Sequence, residues 1–123
     1  MRNYDLMRNI LKVVNAEKKP LELDYFSRYG TFEQLEEELT RLKEEGLIET
    51  SMTWTDGSFD GGVVIAITDK GEEFLFNIEN NEVWRLIYTT LSRAKLTLSY
   101  PLLKEVCEEV VRRYVMSKIP TEM

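Results

Sequence analysis

Two features of this sequence have residue types that could bind a metal or act as a nucleophile, and the first is an acidic, glycine-rich segment. Asp56, Ser58, Asp60 and Gly61 match positions 1, 3, 5 and 6 of a calcium-binding loop. Position 12 of such a loop should be a bidentate glutamate, but Ile67 stands there and its neighbours favour a strand. We therefore interpret the segment as a glycine-rich turn and expect no metal and no cofactor.

The second feature is Cys107, the single cysteine of a sequence that has no histidine. Without histidine, Cys-His and Ser-His-Asp nucleophile systems and His-ligated zinc are excluded. Cys107 lies on the apolar side of a predicted helix, so we interpret it as a buried apolar residue. Glu105, Glu108 and Glu109 could pair as acid and base, but helical spacing brings carboxylates together in most acidic helices. The sequence indicates that the protein is not an enzyme.

The composition is that of an ordinary globular chain. It has 123 residues, 43% of them apolar and 31% charged, which predicts one domain over residues 1–123. The longest apolar runs fall far short of the ~18 residues that a membrane span needs. The lone cysteine excludes an intrachain disulfide and the start of the chain has no apolar leader, so we expect a cytoplasmic protein.

Charge is distributed unevenly along the chain, whose net charge is −6. Residues 21–80 hold 15 acids and 4 bases, whereas the two ends together hold 7 acids and 12 bases. The middle is therefore strongly acidic, at −11, and the ends are basic, at +5. This placement bears on which partners the chain can bind.

Five helices are predicted from apolar periodicity and capping signals. Thr31 and Gln34 form a capping box at the start of the second helix, and Gly46 is suited to the left-handed position that ends it. The helices are expected at about Asp5–Asn15, Phe32–Glu45, Asp69–Ile78, Glu82–Ala94 and from the cap Ser99 to Ser117. Their inward faces should include Phe32 in the second helix and Tyr88 in the fourth.

Three strands are predicted between these helices. Leu21–Leu23 is a short strand, and strands at about Leu47–Trp54 and Val63–Ile67 flank the turn at Thr55–Gly62, which reads as a hairpin. Residues Asp24–Gly30 allow at most one helical turn. We expect the first strand to pair with the hairpin.

This order of elements predicts an α+β fold with a winged helix-turn-helix core, a β-hairpin wing and a C-terminal helical extension. The core should occupy about residues 3–78 and the C-terminal helices about residues 82–117. Two segments support it: Leu39–Ile48, a usual passage from third helix to second strand, and Ile67–Leu75, which resembles the segment after the wing in many small bacterial winged-helix proteins. The second helix of the winged-helix fold is expected to be short or absent in this chain. Phe32–Glu45, the second helix predicted here, therefore corresponds to the third helix of that fold.

Both ends of the chain extend this resemblance. Asn3–Leu11 is similar to the opening of an uncharacterised winged-helix family of bacteria and phages. Glu82-Val-Trp-Arg, followed after Ala94 by Leu-Thr-Leu-Ser and a long helix, resembles that family's tail. The resemblance implies the fold and brings no catalytic residues with it.

The acidity of the predicted third helix argues against DNA binding through the usual winged-helix face. It holds six acids and two bases, Arg41 and Lys43, and the turn at Thr55–Gly62 adds Asp56 and Asp60. Duplex DNA is bound largely through Lys and Arg on its phosphates. We therefore expect a non-enzymatic binding module that acts through protein contacts in a regulatory role. A small branch of this hypothesis is an acidic DNA mimic.

The basic ends support an alternative, a DNA-binding transcriptional regulator that contacts phosphates through its terminal helices. The candidate contacts are Arg8 and Lys12 in the first helix and Arg112, Arg113 and Lys118 in the last. Such contacts would be independent of sequence.

The last helix has a wide apolar stripe, which predicts a homodimer. The candidate dimer contacts are Leu103, Val106, Val110 and Tyr114, with Leu102, Cys107 and Val111 beside them.

Overall fold

A computed structural model describes residues 2–19, 21–50, 54–55, 58–59, 63–95 and 97–119. The chain divides into two compact units, Arg2–Leu75 and Phe76–Met123. The predicted boundary between a core at about 3–78 and the helices that follow lies close to this division. That the whole chain forms one domain stays a prediction.

The fold is α+β, mostly helical with a small antiparallel sheet, as predicted. The elements of the first unit are, in chain order, α1 Tyr4–Glu17, β1 Leu21–Glu22, a 3₁₀ helix Leu23–Phe26, α2 Phe32–Glu44, β2 Ile48–Thr50, β3 Trp54–Thr55, β4 Ser58–Phe59 and β5 Val63–Ile67. The next helix, α3 Asp69–Ile78, crosses the boundary between the units. The three-stranded sheet has the order β1-β5-β2, and β3 pairs with β4.

Strand β5 is the centre of the sheet. Leu21 of β1 is paired with Val64 on one side, and Ile48 of β2 with Ile67 on the other, both antiparallel. A register irregularity lies between Glu49 and Thr50. The pairing of the first strand with the later strands was predicted, and it places the segment after α1 against the hairpin.

Helix α1 supplies much of the core of the first unit. Asn3 is its N-cap, and the Asn3 side-chain oxygen accepts a hydrogen bond from the Leu6 N–H at 3.0 Å. The apolar face then packs against α2 and β5. The buried apolar residues of this face are Tyr4, Leu6, Met7, Ile10, Leu11 and Val14.

Helix α2 begins and ends at the predicted signals. The Thr31 hydroxyl accepts from the Gln34 N–H, and the Gln34 side chain accepts from the Thr31 N–H, which completes the capping box. At the other end Gly46 has a φ of 78°, and the Leu47 N–H donates to the Leu42 carbonyl at 3.0 Å, the Schellman pattern. The prediction that Phe32 faces inward is wrong, since half of it is exposed.

The segment Thr68–Gly71 is fastened to the end of α2. The Thr68 hydroxyl donates to the Gly46 carbonyl at 2.6 Å and accepts from the Gly71 N–H at 3.0 Å, so it caps α3. Lys70 Nζ donates to the Glu45 carbonyl, and the Thr68 N–H donates to the Leu47 carbonyl. These bonds pair the carbonyl groups of the three residues that follow α2.

The second unit is built on α4, Asn81–Ala94, and α5, Tyr100–Lys118, which pack against each other. Asn80 caps α4 through its side-chain oxygen, and Pro101 lies in the first turn of α5. Ser99 stands at the N-cap of α5 without a side-chain cap bond. Val83, Trp84, Ile87 and Leu91 of α4 are buried, but Tyr88 is 41% exposed, so the prediction that Tyr88 faces inward is wrong.

Replacing Gly71 with alanine should destabilise the fold. A Cβ atom at this position would lie 2.1 Å from the Leu47 carbonyl oxygen and 2.7 Å from Ile67. The backbone must shift to relieve this clash, and overpacking of this kind costs ~1–3 kcal/mol or more. Urea unfolding followed by circular dichroism measures the loss.

The control is Glu73→Ala, an exposed position in the same helix, which should change stability by no more than ~0.5 kcal/mol. Equal stability of the Gly71→Ala and Glu73→Ala proteins would contradict the close approach of α3 to Leu47.

Candidate functional site

The outer face of α2 is the candidate site. Because Leu35, Leu39 and Leu42 turn into the core, the residues between them are left on the surface. They line an open groove of about 490 Å³, formed by Glu33, Glu36, Glu37, Thr40, Arg41 and Glu44. This groove has four carboxylates and one guanidinium, and we call it the α2 acidic groove.

Two of the six acids predicted for this face are not on it. Glu38 is buried and Glu45 is half-buried, and both carboxylates contact the guanidinium of Arg2. Arg2 Nη2 donates to Glu38 at 2.6 Å and to Glu45 at 2.7 Å, while Nε donates to Glu38 and Nη1 to Glu45. Arg2, Glu38 and Glu45 form the Arg2 ion network. The sequence prediction of a face with six acids is thereby corrected to one with four.

Burial and charge act in opposite directions in this network. The Arg2 side chain is 1% exposed, and burial alone would lower its pKa, but hydrogen bonds to Glu45 and Glu38 outweigh that effect and raise it. Burial raises the pKa of Glu38, and the hydrogen bonds from Arg2 oppose this rise. A planar guanidinium can serve both carboxylates in this way, which a lysine ammonium cannot.

A second concave surface lies between α1 and the turn that follows the 3₁₀ helix. Its volume is about 660 Å³, and no sequence signal indicated it. The Tyr25 hydroxyl donates to Glu17 at 2.7 Å, a bond that raises the pKa of Tyr25, and the Arg28 guanidinium lies 6.0 Å from the centre of the Tyr29 ring. Its lining residues are Asn9, Lys12, Val13, Ala16, Glu17, Asp24, Tyr25, Ser27, Arg28 and Tyr29. Acidic and basic groups are balanced there.

The predicted phosphate contacts lie in both units. In the first, Arg8 is only 8% exposed and Lys12 is half-buried in the second concave surface. In the second, Arg112 and Arg113 are exposed and both donate to Glu109, at 2.6 and 3.0 Å. The Arg112 and Arg113 bonds lower the pKa of Glu109.

Lys118, the last predicted phosphate contact, lies 3.8 Å from Glu82 of α4 and 5.3 Å from the centre of the Tyr114 ring. Among these cations, the arginines of α5 and Lys118 thus have acidic neighbours within their own unit.

The four predicted dimer contacts do not share one environment. Leu103 is fully buried, whereas Val106, Val110 and Tyr114 are half-buried. The Tyr114 hydroxyl donates to Glu82 at 2.9 Å, a bond that raises the pKa of Tyr114. Leu103 and Tyr114 therefore serve the packing of α5 within its own chain.

Cys107 is fully buried in α5, as its apolar position predicted. Burial, followed by the nearby Glu108 carboxylate, raises the pKa of its thiol to about 12. Since the thiolate is the reactive form, this environment makes the sulfur a poor nucleophile.

The calcium-like segment Asp56–Ile67 falls partly outside the described residues, since Asp56, Asp60 and Gly61 are not among them. Within the ranges that the structure does describe, no three acidic or cysteine side chains stand together as metal ligands would. In those same ranges, none of the helices combines the length and the apolar character of a bilayer span.

The structure thus defines a small α+β protein whose candidate site is an acidic helix face. Residues 1–97 match the family described as "Hypothetical protein (DUF2513)", and the chain belongs to this family. It is also similar to an uncharacterized protein of Haemophilus influenzae, with 27% identity over 113 residues that cover 89% of this chain and 94% of the relative. The predicted resemblance to an uncharacterised family is confirmed.

Among solved structures, the chain is similar to a candidate transcriptional regulator from Thermoplasma acidophilum. The TM-score is 0.44 at 20% identity, over 76% of this chain and 93% of that one.

Removing Arg2 should strongly destabilise the first unit. An Arg2→Met substitution leaves the Glu38 carboxylate buried without its partner, and breaking a buried pair in this way costs ~3–5 kcal/mol. Urea unfolding measures the loss, and the double substitution Arg2→Met/Glu38→Met should recover most of it, because Glu45, 13% exposed, is then the only carboxylate of the network and still reaches water.

Arg28→Met is the matched control, because Arg28 is exposed and its guanidinium lies over the Tyr29 ring, 6.0 Å from the ring centre. It should cost at most ~1 kcal/mol. A cost for Arg2→Met no larger than for Arg28→Met would show that the network does not hold α2.

The Cys107 thiol should resist modification in the folded protein. With a pKa of about 12, roughly one thiol in ten thousand is ionised at pH 8. We expect Ellman's reagent to label the native protein slowly and to label one thiol per chain at once in urea. Fast stoichiometric labelling of the native protein would contradict the burial of Cys107.

Proposed function

We propose that this protein is a non-enzymatic binding module of the winged-helix type that acts in the cytoplasm through protein–protein contacts, in a regulatory role. The order of elements in the first unit supports the fold assignment. A helix, a short strand, a helix and then a strand pair around a turn are followed by α3, and β1 joins the sheet beside β5. In this arrangement α2 takes the place of the third helix.

The α2 acidic groove is the observation that carries the proposed function. In a DNA-binding winged helix this helix contacts the major groove, and its exposed side chains must suit a polyanion. Here the exposed and half-exposed charges are four glutamates against Arg41 and Lys43, a local excess of two negative charges. That surface is complementary to a partner protein with a basic face.

DNA binding through the terminal helices is the competing function. Its candidate contacts are Arg8, which is almost fully buried, Lys12, which is half-buried, and the α5 cations, whose charge is shared with Glu109 and Glu82. Phosphate contact would have to break these pairs or compete with them. Their arrangement favours a protein partner.

We also propose that two copies associate through α5. The helix keeps apolar residues at the surface after its buried positions are filled, and Leu102, Val115 and Met116 are each about half exposed or more. A symmetric dimer is the commonest way to cover such a face.

Neutralising the α2 acidic groove should abolish capture of the partner. The immobilised chain is incubated with nuclease-treated extract of the source cell, and the retained proteins are compared for wild type and Glu33→Gln/Glu37→Gln/Glu44→Gln. We expect proteins with basic surfaces to be retained by wild type and lost with the triple variant, because the complementary charge is removed.

The matched control is Glu72→Gln/Glu73→Gln/Glu79→Gln, which removes three exposed acids in and just after α3 and should retain the same proteins. A parallel titration with a 20-base-pair duplex at low salt tests the alternative. Sub-micromolar binding of wild type that Arg112→Ala/Arg113→Ala abolishes would refute the proposal in favour of DNA bound through the terminal helices, and loss with Arg41→Ala would refute it in favour of DNA bound through α2.

A further inference from the structure

Helix α5 has apolar side chains on more faces than its own chain covers. Leu103 and Cys107 are fully buried, whereas Leu102 and Met116, the latter 60% exposed, remain at the surface. At ~100° per residue, Leu102 lies about a third of a turn from the centre of the buried pair, and Met116 nearly half a turn. The surface that they mark is therefore separate from the face that packs within the chain.

The residues of this surface repeat with the spacing of a helix-pairing seam. Successive intervals of four, three, four and three residues connect Leu102, Val106, Glu109, Arg113 and Met116, which we call the α5 seam. Spacing of 3.5 residues keeps a stripe facing a second helix along its length. The seam extends for ~21 Å, or about four turns.

The charges along the seam favour a second copy of α5 as the partner, and they favour the antiparallel direction over the parallel one. Glu109 lies in the middle of α5 and Arg113 one turn later, so a parallel pair of α5 helices would set Glu109 against Glu109 and Arg113 against Arg113. In an antiparallel pair whose two-fold axis lies at the height of position 111 along the helix, Glu109 of each copy is instead opposite Arg113 of the other. The same register sets Val106 against Met116 twice, so two of the three apolar positions of the seam match, and Leu102 lies outside the paired part of the helix.

We infer that a second copy of this chain covers the α5 seam, antiparallel, with Glu109 of each copy opposite Arg113 of the other and Val106 opposite Met116. This inference rests on the proposed homodimer and adds its direction and register. The ion contacts need little rearrangement. Arg112 Nη2 lies 2.6 Å from both carboxylate oxygens of Glu109, so Arg113, with 79% of its side chain exposed, can turn to the other copy.

Charge reversal tests the register. Alone, Glu109→Arg places arginines opposite each other and Arg113→Glu places glutamates opposite each other, so each variant should dissociate at least tenfold more readily than wild type. An equimolar mixture of the two should form a heterodimer, and the double variant Glu109→Arg/Arg113→Glu should dimerise again. Sedimentation velocity from 1 to 200 μM, beside circular dichroism of each variant, measures these states.

Glu108→Arg is the matched control, with the same charge change one residue away and similar exposure, 47% against 40% for Glu109. It lies off the seam and should leave the dimer intact. A wild type that is monomeric at 200 μM would refute both the dimer and this register. A dimeric wild type whose single variants are unaffected, or are not rescued by mixing, would refute the register and leave the dimer standing.

Disulfide trapping provides an independent measurement. Positions 106 and 116 are ~15 Å apart along one helix, so cysteines there cannot bond within a chain. Mixing Val106→Cys with Met116→Cys protein under mild oxidation should give a linked heterodimer, and either protein alone should give little. Wild type under the same oxidation controls for Cys107. Equal linking in each separate protein would overturn the antiparallel register.

Discussion

The Arg2 guanidinium is a permanent charge that is almost completely buried in the first unit, and it contacts the carboxylates of Glu38 and Glu45. Moving an ion out of water is costly unless its hydrogen-bonding groups are all served. Glu38 and Glu45 serve Nε, Nη1 and Nη2 of Arg2 together. Arg2, which precedes α1, is thereby bonded both to the middle of α2 at Glu38 and to its C-cap at Glu45.

The same network changes what α2 presents to a partner. An isolated helix with this sequence would expose six carboxylates, but two of them are used inside the protein. The acids that remain lie together in the α2 acidic groove, where Arg41 sits among them. Stability and surface charge are coupled here, because a substitution at Glu38 or Glu45 would disturb the fold before it altered binding.

Local features of the fold could be predicted from the sequence because the bonds that define them span few residues. The Thr31–Gln34 capping box, the left-handed Gly46 and the Thr68 cap each depend on neighbours within three or four positions. The bounds of α3 followed from such signals. The need for glycine at position 71 could not be predicted from local signals. It arises because the Gly71 backbone packs against the Leu47 carbonyl, which leaves no room for a side chain.

The candidate site was less predictable because its chemistry depends on partners distant in sequence. Arg2 and Glu38 are 36 residues apart, so nothing near either residue shows that they pair. Phe32 and Tyr88 were misplaced for a related reason. Each lies at the margin of an apolar stripe, where helical periodicity allows either direction and packing decides.

Charges in this chain therefore have three physical roles that composition alone does not separate. Some are buried and bonded, as in the Arg2 ion network; some pair along one helix, as Glu109 does with Arg112 and Arg113; and some remain exposed in the α2 acidic groove. At physiological salt the field of an exposed charge is screened over ~8 Å. A partner of the proposed kind would therefore meet the field of the groove mainly at contact, where four carboxylates on one helix face require matching cations that the net charge of the chain does not specify.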